Sequence, residues 1–312
     1  SNDVIVIRTR KDVANKYLSQ LLKSDLFIEY VMTGAKGVKM PRGDIDLIKK
    51  FVVAVPTEPN EQKKIADCLS SIDDLITAQA QETEALKAHK KGLMQQLFPT
   101  EGETAPRLRF SEFQKAPEWK NEKTSSVLRK TSHPVSVDLN EKYAQIGIRS
   151  HGKGIFHKEA VTGEQLGNKR VFWVMDDALV VNIVFAWEQA VAKTTNAEKG
   201  MIASHRFPMY KAKDNKLCIN FIAHFFLTNK GKHLLALASP GGAGRNKTLG
   251  QKEFENLEFL IPESLEEQIK IADCLSSLDE LIAAHTQELE FLKAHKKGLM
   301  QGLFPSRAEG EV

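Results

Sequence analysis

Two glycine-rich segments of the sequence place cationic and amide side chains beside residues that leave the backbone accessible. The first covers residues 148–155 and the second covers residues 239–249. Glycine permits close approach to a phosphate, Lys and Arg neutralise its charge, and Arg or Asn can form paired hydrogen bonds with base edges. The pattern predicts nucleic-acid contacts from Arg149, His151, Lys153, Arg245, Asn246 and Lys247, with Lys169 and Arg170 on a neighbouring turn as further phosphate contacts. A solvated basic loop is the alternative interpretation of each segment.

Catalytic and metal-binding motifs are missing from the sequence. It contains no GxGxxG, GxSxG, HExxH or GxxxxGK[ST] motif, and no methyltransferase-type Asn/Asp-Pro-Pro-aromatic motif. Cys68, Cys218 and Cys274 form no CxxC pair, and their odd number argues against a disulfide framework. We therefore expect no catalytic residue, no bound metal and no cofactor in this chain, and we expect its cysteines to be small buried apolar residues.

The composition is that of a globular protein whose charge permits a polyanionic partner without requiring one. The 312 residues carry a formal net charge of +4 and a pI of about 8.7, with 42% hydrophobic and 27% charged residues. No apolar run approaches the roughly 20 residues of a membrane-spanning helix, and no signal peptide opens the sequence. Together with the cysteine usage, these features predict a cytoplasmic protein without a membrane partner.

Residues 61–99 recur almost unchanged as residues 267–305. Thirty of the 39 positions are identical at a constant offset of 206. Such a period is far longer than the roughly 20–50 residues of a solenoid unit. The repeat predicts two related helices, each attached to its own globular domain, in a pseudo-symmetric molecule.

Both copies carry apolar residues in a heptad pattern, which is typical of a coiled-coil helix. Each helix should span about 38 residues and about 57 Å, because prolines end both copies. We expect the two helices to pack antiparallel, with the polar residues Gln79 and His285 meeting near mid-helix as a register device. The residues expected to be buried near this contact are Leu75, Ile76, Leu281 and Ile282.

The last turns of both helices combine lysines with apolar side chains. Interaction with the helix dipole and solubility are a sufficient explanation of the lysines. The sharper alternatives are contact with phosphates or a docking surface for a partner protein. Its predicted residues are Lys90, Lys91, Met94, Leu97 and Phe98 in the first copy, and Lys296, Lys297, Met300, Leu303 and Phe304 in the second.

The globular segments predict an α+β fold. Strands are expected over residues 171–173, 179–185, 201–210 and 259–261, and helices over residues 219–227 and 233–238. Residues 51–56 mirror residues 257–262 and are expected to match the strand before the second helix. The predicted organisation is the C-terminal part of a first globular domain (1–57), a first coiled-coil helix (58–99), a second globular domain (100–262), and a second coiled-coil helix with a tail (263–312). Fewer residues precede the first helix than separate the two helices. We therefore expect the first globular unit to be incomplete.

Several segments resemble the DNA-specificity subunit of type I restriction–modification systems. The resemblance rests on Ile261-Pro-Glu-Ser-Leu-Glu-Glu-Gln-Ile-Lys-Ile-Ala-Asp, on the matching Val55-Pro and Glu61-Gln-Lys-Lys-Ile-Ala-Asp, and on Lys91-Gly-Leu-Met-Gln-Gln-Leu-Phe-Pro. Pro106-Arg-Leu-Arg-Phe followed by Trp119 is similar to the usual entry of a target-recognition domain. The short first domain departs from the family pattern, which puts independent reading of a first half-site in doubt.

The resemblance implies mixed α/β target-recognition domains joined by two long antiparallel coiled-coil helices in a pseudo-twofold arrangement. It implies a non-catalytic subunit that reads a bipartite site in double-stranded DNA and docks methyltransferase subunits on its helices, with a nuclease-translocase subunit joining the assembly. S-adenosylmethionine would belong to the methyltransferase subunit. The alternatives are a coiled-coil scaffold whose globular unit binds protein, and a half-size specificity subunit that dimerises.

Overall fold

The computed structural model describes residues 5–10, 12–35, 43–241 and 247–304. The chain divides into two compact units. Unit 1 combines Ser1–Lys87 with Glu280–Val312, and unit 2 comprises Ala88–Asp279. Each long helix therefore contributes its first part to one unit and its last part to the other.

The helices fall into two long ones and a set of short ones. In chain order they are α1 (Asn15–Leu21), α2 (Asp25–Thr33), α3 (Ile45–Ile48), α4 (Pro59–Leu97), α5 (Thr124–Val127), α6 (Gly163–Leu166), α7 (Ile219–Leu227), α8 (Asn229–Leu237), α9 (Gln251–Glu255) and α10 (Leu265–Leu303). The long helices α4 and α10 have 39 residues each. They lie within the predicted ranges 58–99 and 263–312.

The strands of the described residues all belong to unit 2. They are β1 (Lys120–Lys123), β2 (Leu128–Thr131), β3 (Lys142–Ile148), β4 (Ile155–Thr162), β5 (Val171–Trp173), β6 (Leu179–Val181), β7 (Val191–Lys193), β8 (Ile202–Ser204), β9 (Met209–Ala212) and β10 (Glu258–Ile261). They form sheets with the orders β1-β10, β2-β9-β6-β7 and β4-β3-β8-β5. Only β3 and β8 pair in parallel; the other named pairs are antiparallel. The α+β prediction is confirmed for this unit.

Three strand predictions differ from the structure. The predicted strand 179–185 ends at Val181, because Asn182 accepts the amide of Val184 and turns the chain toward a short 3-10 helix at Ala186–Glu188. The predicted strand 201–210 is split into β8 and β9 by a turn after Ser204. Residues 51–56, expected to match the strand before the second helix, form no strand among the described residues of unit 1. Its counterpart β10 pairs with β1, and the described part of unit 1 offers no such partner.

The heptad residues face inward in both long helices. Ile65, Leu69 and Ile72 are buried on α4, and Ile271 and Leu275 are buried on α10. Leu75 and Leu281, however, remain 56% and 42% exposed. The expectation that these two leucines are buried is wrong, because each lies next to the seam and faces solvent. Their heptad neighbours Ile76 and Ile282 are half-buried.

Contacts inside each unit show the antiparallel direction of the long helices. In unit 1, Lys296 Nζ lies 2.5 Å from Asp73 Oδ1, and Gln79 Nε2 lies 3.0 Å from His285 Nδ1. In unit 2, Lys90 Nζ lies 2.5 Å from Asp279 Oδ2. As residue numbers rise on α4 they fall on α10, so the predicted antiparallel packing and the predicted meeting of Gln79 with His285 are both confirmed.

The ends of the long helices enter the cores of the units. In unit 2, Phe98 packs against Trp119, Phe221 and Phe225, with ring centroids 5.2–6.2 Å apart. In unit 1, Phe304 packs edge-on against Tyr17 at 5.5 Å. These contacts bury the phenylalanine that ends each copy of the repeated helix.

A glutamine near the start of each long helix joins that helix to its globular part. The amide nitrogen of Gln62 donates to the carbonyls of Asp12 and Pro56, and its oxygen accepts from the backbone of Ala14. Gln268, its repeat equivalent, donates to the carbonyls of Lys216 and Pro262 and accepts from the backbone of Cys218. Both glutamines are fully buried, so the repeat preserves a satisfied polar junction as well as an apolar seam.

Candidate nucleic-acid interface

The first glycine-rich segment is the loop between β3 and β4. Its ends are tied by a hydrogen bond from Arg149 N to the Gly154 carbonyl at 3.0 Å. His151 and Gly152 both have positive φ, 61° and 66°. A Cβ on Gly152 would lie 2.8 Å from the Leu227 side chain, so glycine is required there for space and for backbone conformation. The loop is thus a fixed turn, and Arg149, His151 and Lys153 are exposed on it.

This loop forms hydrogen bonds with a short 3-10 helix, Ala186–Glu188, and with the residue that follows it. His151 N donates to the Glu188 carbonyl at 2.6 Å, and Gly152 N donates to the Gln189 carbonyl at 3.2 Å. The Ser150 hydroxyl also donates to the Glu188 carboxylate at 2.9 Å. Glu188 therefore holds the loop through both its backbone carbonyl and its carboxylate.

Arg149 lies over an aromatic ring of the same hairpin. Its guanidinium carbon is 4.7 Å from the centroid of Phe156, and Lys158 Nζ is 5.9 Å from that centroid. Gly147 makes room for this ring, because a Cβ there would lie 2.3 Å from Phe156. This cation–π contact holds the guanidinium beside the ring, and the N–H groups of an exposed arginine can pair with a bidentate acceptor such as a guanine or a phosphate.

The second glycine-rich segment reaches the same 3-10 helix. Lys247 Nζ lies 5.5 Å from the Trp187 ring centroid. The indole N–H of Trp187 donates to the Val184 carbonyl at 3.2 Å, which fixes the ring. Leu249 N donates to the Ile183 carbonyl at 2.8 Å and seats the end of the segment. Arg245 and Asn246 lie outside the described residues.

The 3-10 helix was not anticipated, yet it is what brings the two predicted loops together. Its Glu188 end holds the loop of Arg149, while its Trp187 side faces Lys247. Phe185, immediately before it, is 37% exposed. Two basic loops held side by side suit nucleic acid, because their cations can meet phosphates while their side chains reach base edges. The Trp and Phe within residues 185–187 could have indicated this role.

Lys169 and Arg170 are exposed on the turn before β5. The Arg170 carbonyl accepts from His205 N at 3.1 Å, which places His205 and Arg206 beside that turn. The Arg206 carbonyl in turn accepts from Ile183 N at 3.0 Å, close to the start of the 3-10 helix. Within the described residues, no hydrogen bond or ion pair joins Lys169 or Arg170 to either glycine-rich loop. Arg206 and Lys158 are exposed cations that the sequence reasoning missed.

The described residues hold no group of three or more His, Cys, Asp or Glu side chains able to bind a metal ion.

The carboxylate of Glu198 accepts a hydrogen bond from His157 Nε2 at 3.0 Å. Burial acts to raise the pKa of Glu198, but hydrogen bonds from His157 and Thr195 lower it below its ordinary value. This carboxylate is a structural acceptor in a capping box at Thr195, since the Thr195 amide and hydroxyl also donate to it.

The predicted docking surface needs correction at four apolar positions. Leu97, Phe98, Met300 and Phe304 are at most 8% exposed and belong to the cores of the units. Their side chains serve mainly as core, although Phe98 also lines a cavity of unit 2, and Met300 and Phe304 also line a cavity of unit 1. Lys90 and Lys296 are also engaged, with Asp279 and Asp73. The part of the predicted surface that stays accessible consists of Lys91, Met94, Lys297 and Leu303.

Cys68 is exposed, and Cys218 and Cys274 are half-buried, so the cysteines are not the buried apolar residues expected.

Within the described parts of the chain, the structure contains no helix long and apolar enough to cross a membrane.

Comparison with known proteins supplies a family match. The model of the type I restriction modification DNA specificity domain matches residues 1–88 and 180–294. A putative type I restriction enzyme MjaX specificity subunit of Methanocaldococcus jannaschii is 26% identical over 260 residues, covering 81% of this chain and 59% of that protein. The MjaVIII specificity subunit of the same organism is 24% identical over 288 residues, covering 89% of this chain and 67% of that protein. The chain thus spans only 59% of the length of the first relative.

Solved structures show a shared fold. The S subunit of a type I restriction–modification system from M. genitalium has a TM-score of 0.63 at 14% identity, covering 95% of this chain and 74% of that one. A chain from a study of complex assembly and conformational transition in a type I restriction–modification system has a TM-score of 0.56 at 11% identity, covering 96% and 73%.

Proposed function

Because the chain belongs to the type I restriction modification DNA specificity family, we propose that it is the DNA-recognition subunit of a type I restriction–modification complex. Unit 2 acts as a target-recognition domain that reads one part of a bipartite site in double-stranded DNA. The observation that carries this assignment is the convergence of two basic loops on the 3-10 helix Ala186–Glu188. That helix holds the Arg149 loop through Glu188 and Gln189 and faces Lys247 with Trp187.

The chemistry of this surface divides between base reading and phosphate contact. Arg149, restrained on Phe156, offers a paired N–H edge suited to guanine O6 and N7. His151, Lys153 and Lys247 are placed to neutralise phosphates, and Lys169 and Arg170 extend the cationic surface along the turn before β5. Arg245 and Asn246 retain their predicted role in base reading on the second loop.

The partners belong to the same proposal. Specificity subunits are non-catalytic in this family, so methylation and cleavage would come from methyltransferase subunits and a nuclease-translocase subunit. S-adenosylmethionine would bind to the methyltransferase. We place the complex in the cytoplasm, where its DNA substrate lies. The support from this chain is the pair of long helices, whose exposed lysines in the last turns, Lys91 and Lys297, remain free of the cores.

The experiment is DNA retention by the purified chain, alone and after assembly with the methyltransferase subunit encoded beside it. The expected result is sequence-selective retention by the assembly. Arg149→Ala should weaken retention of the preferred sequence by about 1–3 kcal/mol. Lys115→Ala, an exposed lysine outside the candidate interface, is the matched control and should bind as wild type. Assembly without any DNA retention would support the scaffold alternative, and retention only by a dimer of the chain would support the half-size alternative.

A further inference from the structure

Each unit contains a cavity where the end of a long helix meets the start of a short helix. The cavity of unit 2, about 780 Å³, lies between the last turns of α4 and the start of α8. The cavity of unit 1, about 390 Å³, lies between the last turns of α10 and the start of α2. Both are lined by repeat-equivalent residues, which are Lys91, Met94, Gln95 and Phe98 in unit 2, and Lys297, Met300, Gln301 and Phe304 in unit 1.

In unit 1 the cavity lysine is neutralised from within the chain. Asp25, the first residue of α2, places its carboxylate 2.8 Å from Lys297 Nζ. A hydrogen bond and charge attraction from Asp25 raise the pKa of Lys297 above its ordinary value. Ser24 caps the same helix by accepting from Phe27 N. The acidic group therefore sits at a helix N-terminus, where a negative charge is favoured.

Unit 2 reproduces this arrangement without the acid. Thr228 caps α8 by accepting from Gly231 N, as Ser24 caps α2, and the residue that follows the cap is Asn229 in place of Asp25. Within the described residues Lys91 forms no ion pair. Lys230 and His233 add further basic groups to the lining, and Glu101 is its acidic residue. The first turn of α8 contributes backbone N–H groups that have no partner inside the helix.

Four apolar side chains also line the unit 2 cavity, beside polar ones such as Gln95, Thr100 and Gln189, and they indicate what kind of anion fits. Met94, Phe98, Leu227 and Leu234 line it. A DNA phosphate carries its charge on a fully polar backbone and would desolvate poorly against these side chains. An acidic side chain on an amphipathic protein segment matches both the cations and the apolar wall.

We propose that this cavity binds an Asp or Glu side chain of a protein partner, in the place that the Asp25 carboxylate fills in unit 1. The partner is the methyltransferase subunit, so the inference rests on the proposed function. The two ends of the repeat are then unequal: the Lys91 ammonium of the unit 2 cavity is open to a partner's acid, and the Lys297 ammonium of the unit 1 cavity is already paired with Asp25.

The test introduces an acidic residue at position 229, the counterpart of Asp25 in unit 1. Asn229→Asp should recreate the unit 1 ion pair with Lys91 and repel an incoming carboxylate. An acidic residue is favoured in the first turn of a helix, so the variant should fold normally. Asn229→Ala removes the side chain without adding charge, and Lys232→Glu reverses an exposed charge on the same helix outside the cavity. Affinity for the purified methyltransferase subunit is measured by calorimetry, and DNA retention by the assembly is measured in parallel.

We expect Asn229→Asp and Lys91→Glu to weaken methyltransferase binding by about 10-fold or more, with Asn229→Ala and Lys232→Glu close to wild type. Wild-type affinity for Asn229→Asp would overturn the inference while leaving the proposed function intact. Reduced DNA retention with unchanged methyltransferase affinity would identify the ligand as a phosphate and also overturn it. A wild-type chain that binds no methyltransferase would contradict the proposed partner itself.

Discussion

Gln79 of α4 and His285 of α10 lie in hydrogen-bond contact, 3.0 Å from Nε2 to Nδ1, and they occupy the same place in the repeat, 206 residues apart. Equivalent positions that meet each other are expected where a local twofold axis passes between two antiparallel helices. Gln79 Nε2 also donates to the His285 carbonyl at 3.2 Å. Together with the Lys296–Asp73 and Lys90–Asp279 pairs, this polar contact limits which residues of the two helices can face each other.

Replacing Gln79 and His285 with leucine should therefore change the stability of the helix pair and the alignment of its two helices in opposite directions. Gln79→Leu with His285→Leu is expected to raise the free energy of unfolding by about 1 kcal/mol, since a half-buried polar pair at a helix contact is often less stabilising than an apolar one. The double variant should, however, lose its single alignment, so that the two helices pack in a mixture of registers. Chemical denaturation and cysteine crosslinking between the helices measure the two effects. A double variant that keeps a single crosslinking register would show that the apolar seam alone sets the alignment.

Phe98 should behave as a core residue. Phe98→Ala is expected to lower the free energy of unfolding by about 3–5 kcal/mol, because the ring fills a cluster formed with Trp119, Phe221 and Phe225. Leu281→Ala is the matched control on α10, where 42% exposure predicts a change within about 0.5 kcal/mol. Urea denaturation monitored by circular dichroism measures both. A Phe98 variant of wild-type stability would return this residue to the surface predicted from the sequence.

His224 should make stability depend on pH. Burial, followed by the nearby charge of Lys90, lowers its pKa to about 4, with Asp279 acting in the opposite direction. Its Nε2 lies 3.2 Å from the Ser276 hydroxyl. Between its unfolded pKa of about 6.5 and its folded pKa, the unfolded chain holds a proton that the folded chain lacks, so stability falls as pH falls through this window. The loss should reach at most about 3 kcal/mol near pH 4.

The repeat provides the control for this titration. Gln20 in unit 1 donates to Ser70, the repeat equivalent of Ser276, at 3.2 Å. His224→Gln should therefore keep a hydrogen bond to Ser276 while removing the titrating group. Thermal unfolding at pH 7 and pH 5 should show a smaller difference for this variant than for wild type. An equal difference would assign the pH dependence to other groups.

Much of the helical architecture followed from the sequence, because heptad spacing and a repeated motif are local patterns. They predicted the two helices, their direction and the meeting of Gln79 with His285. The prediction that Leu75 and Leu281 are buried was wrong, because each leucine lies next to a seam position on its helix and faces solvent. The role of Phe98 was also misjudged, because an apolar helix end looks the same whether a partner or its own domain covers it.

The candidate interface was only partly predictable. Glycine and charge composition located the loops of Arg149 and Lys247. Nothing local in the sequence indicated that Glu188 and Trp187 would connect them, since that depends on long-range hydrogen bonds and on a strand that ends at Val181. Stacking of Arg149 on Phe156 similarly depends on the pairing of β3 with β4, in which Gly147 faces Phe156.

Lys247 should contribute to DNA affinity through its charge, without preference for any DNA sequence. Lys247→Ala is expected to weaken binding of the assembled complex to all DNA sequences alike and to reduce the salt slope by about one unit. Its position over Trp187 holds the ammonium near the surface formed by the two loops. Titrations of two unrelated DNA fragments over a range of salt concentrations measure the slope. An unchanged slope would remove Lys247 from the phosphate contacts.

The central claim, that unit 2 reads DNA through these loops, is tested most directly by the sequence that the assembled methyltransferase modifies. The measurement is sequencing of methylated positions in DNA treated with wild type, with Arg149→Ala, and with Arg149→Lys, which keeps the charge but loses the bidentate edge. Both variants should relax the preference at one base position while the rest of the site is retained. An unchanged methylated sequence in both variants, at unchanged DNA affinity, would contradict it.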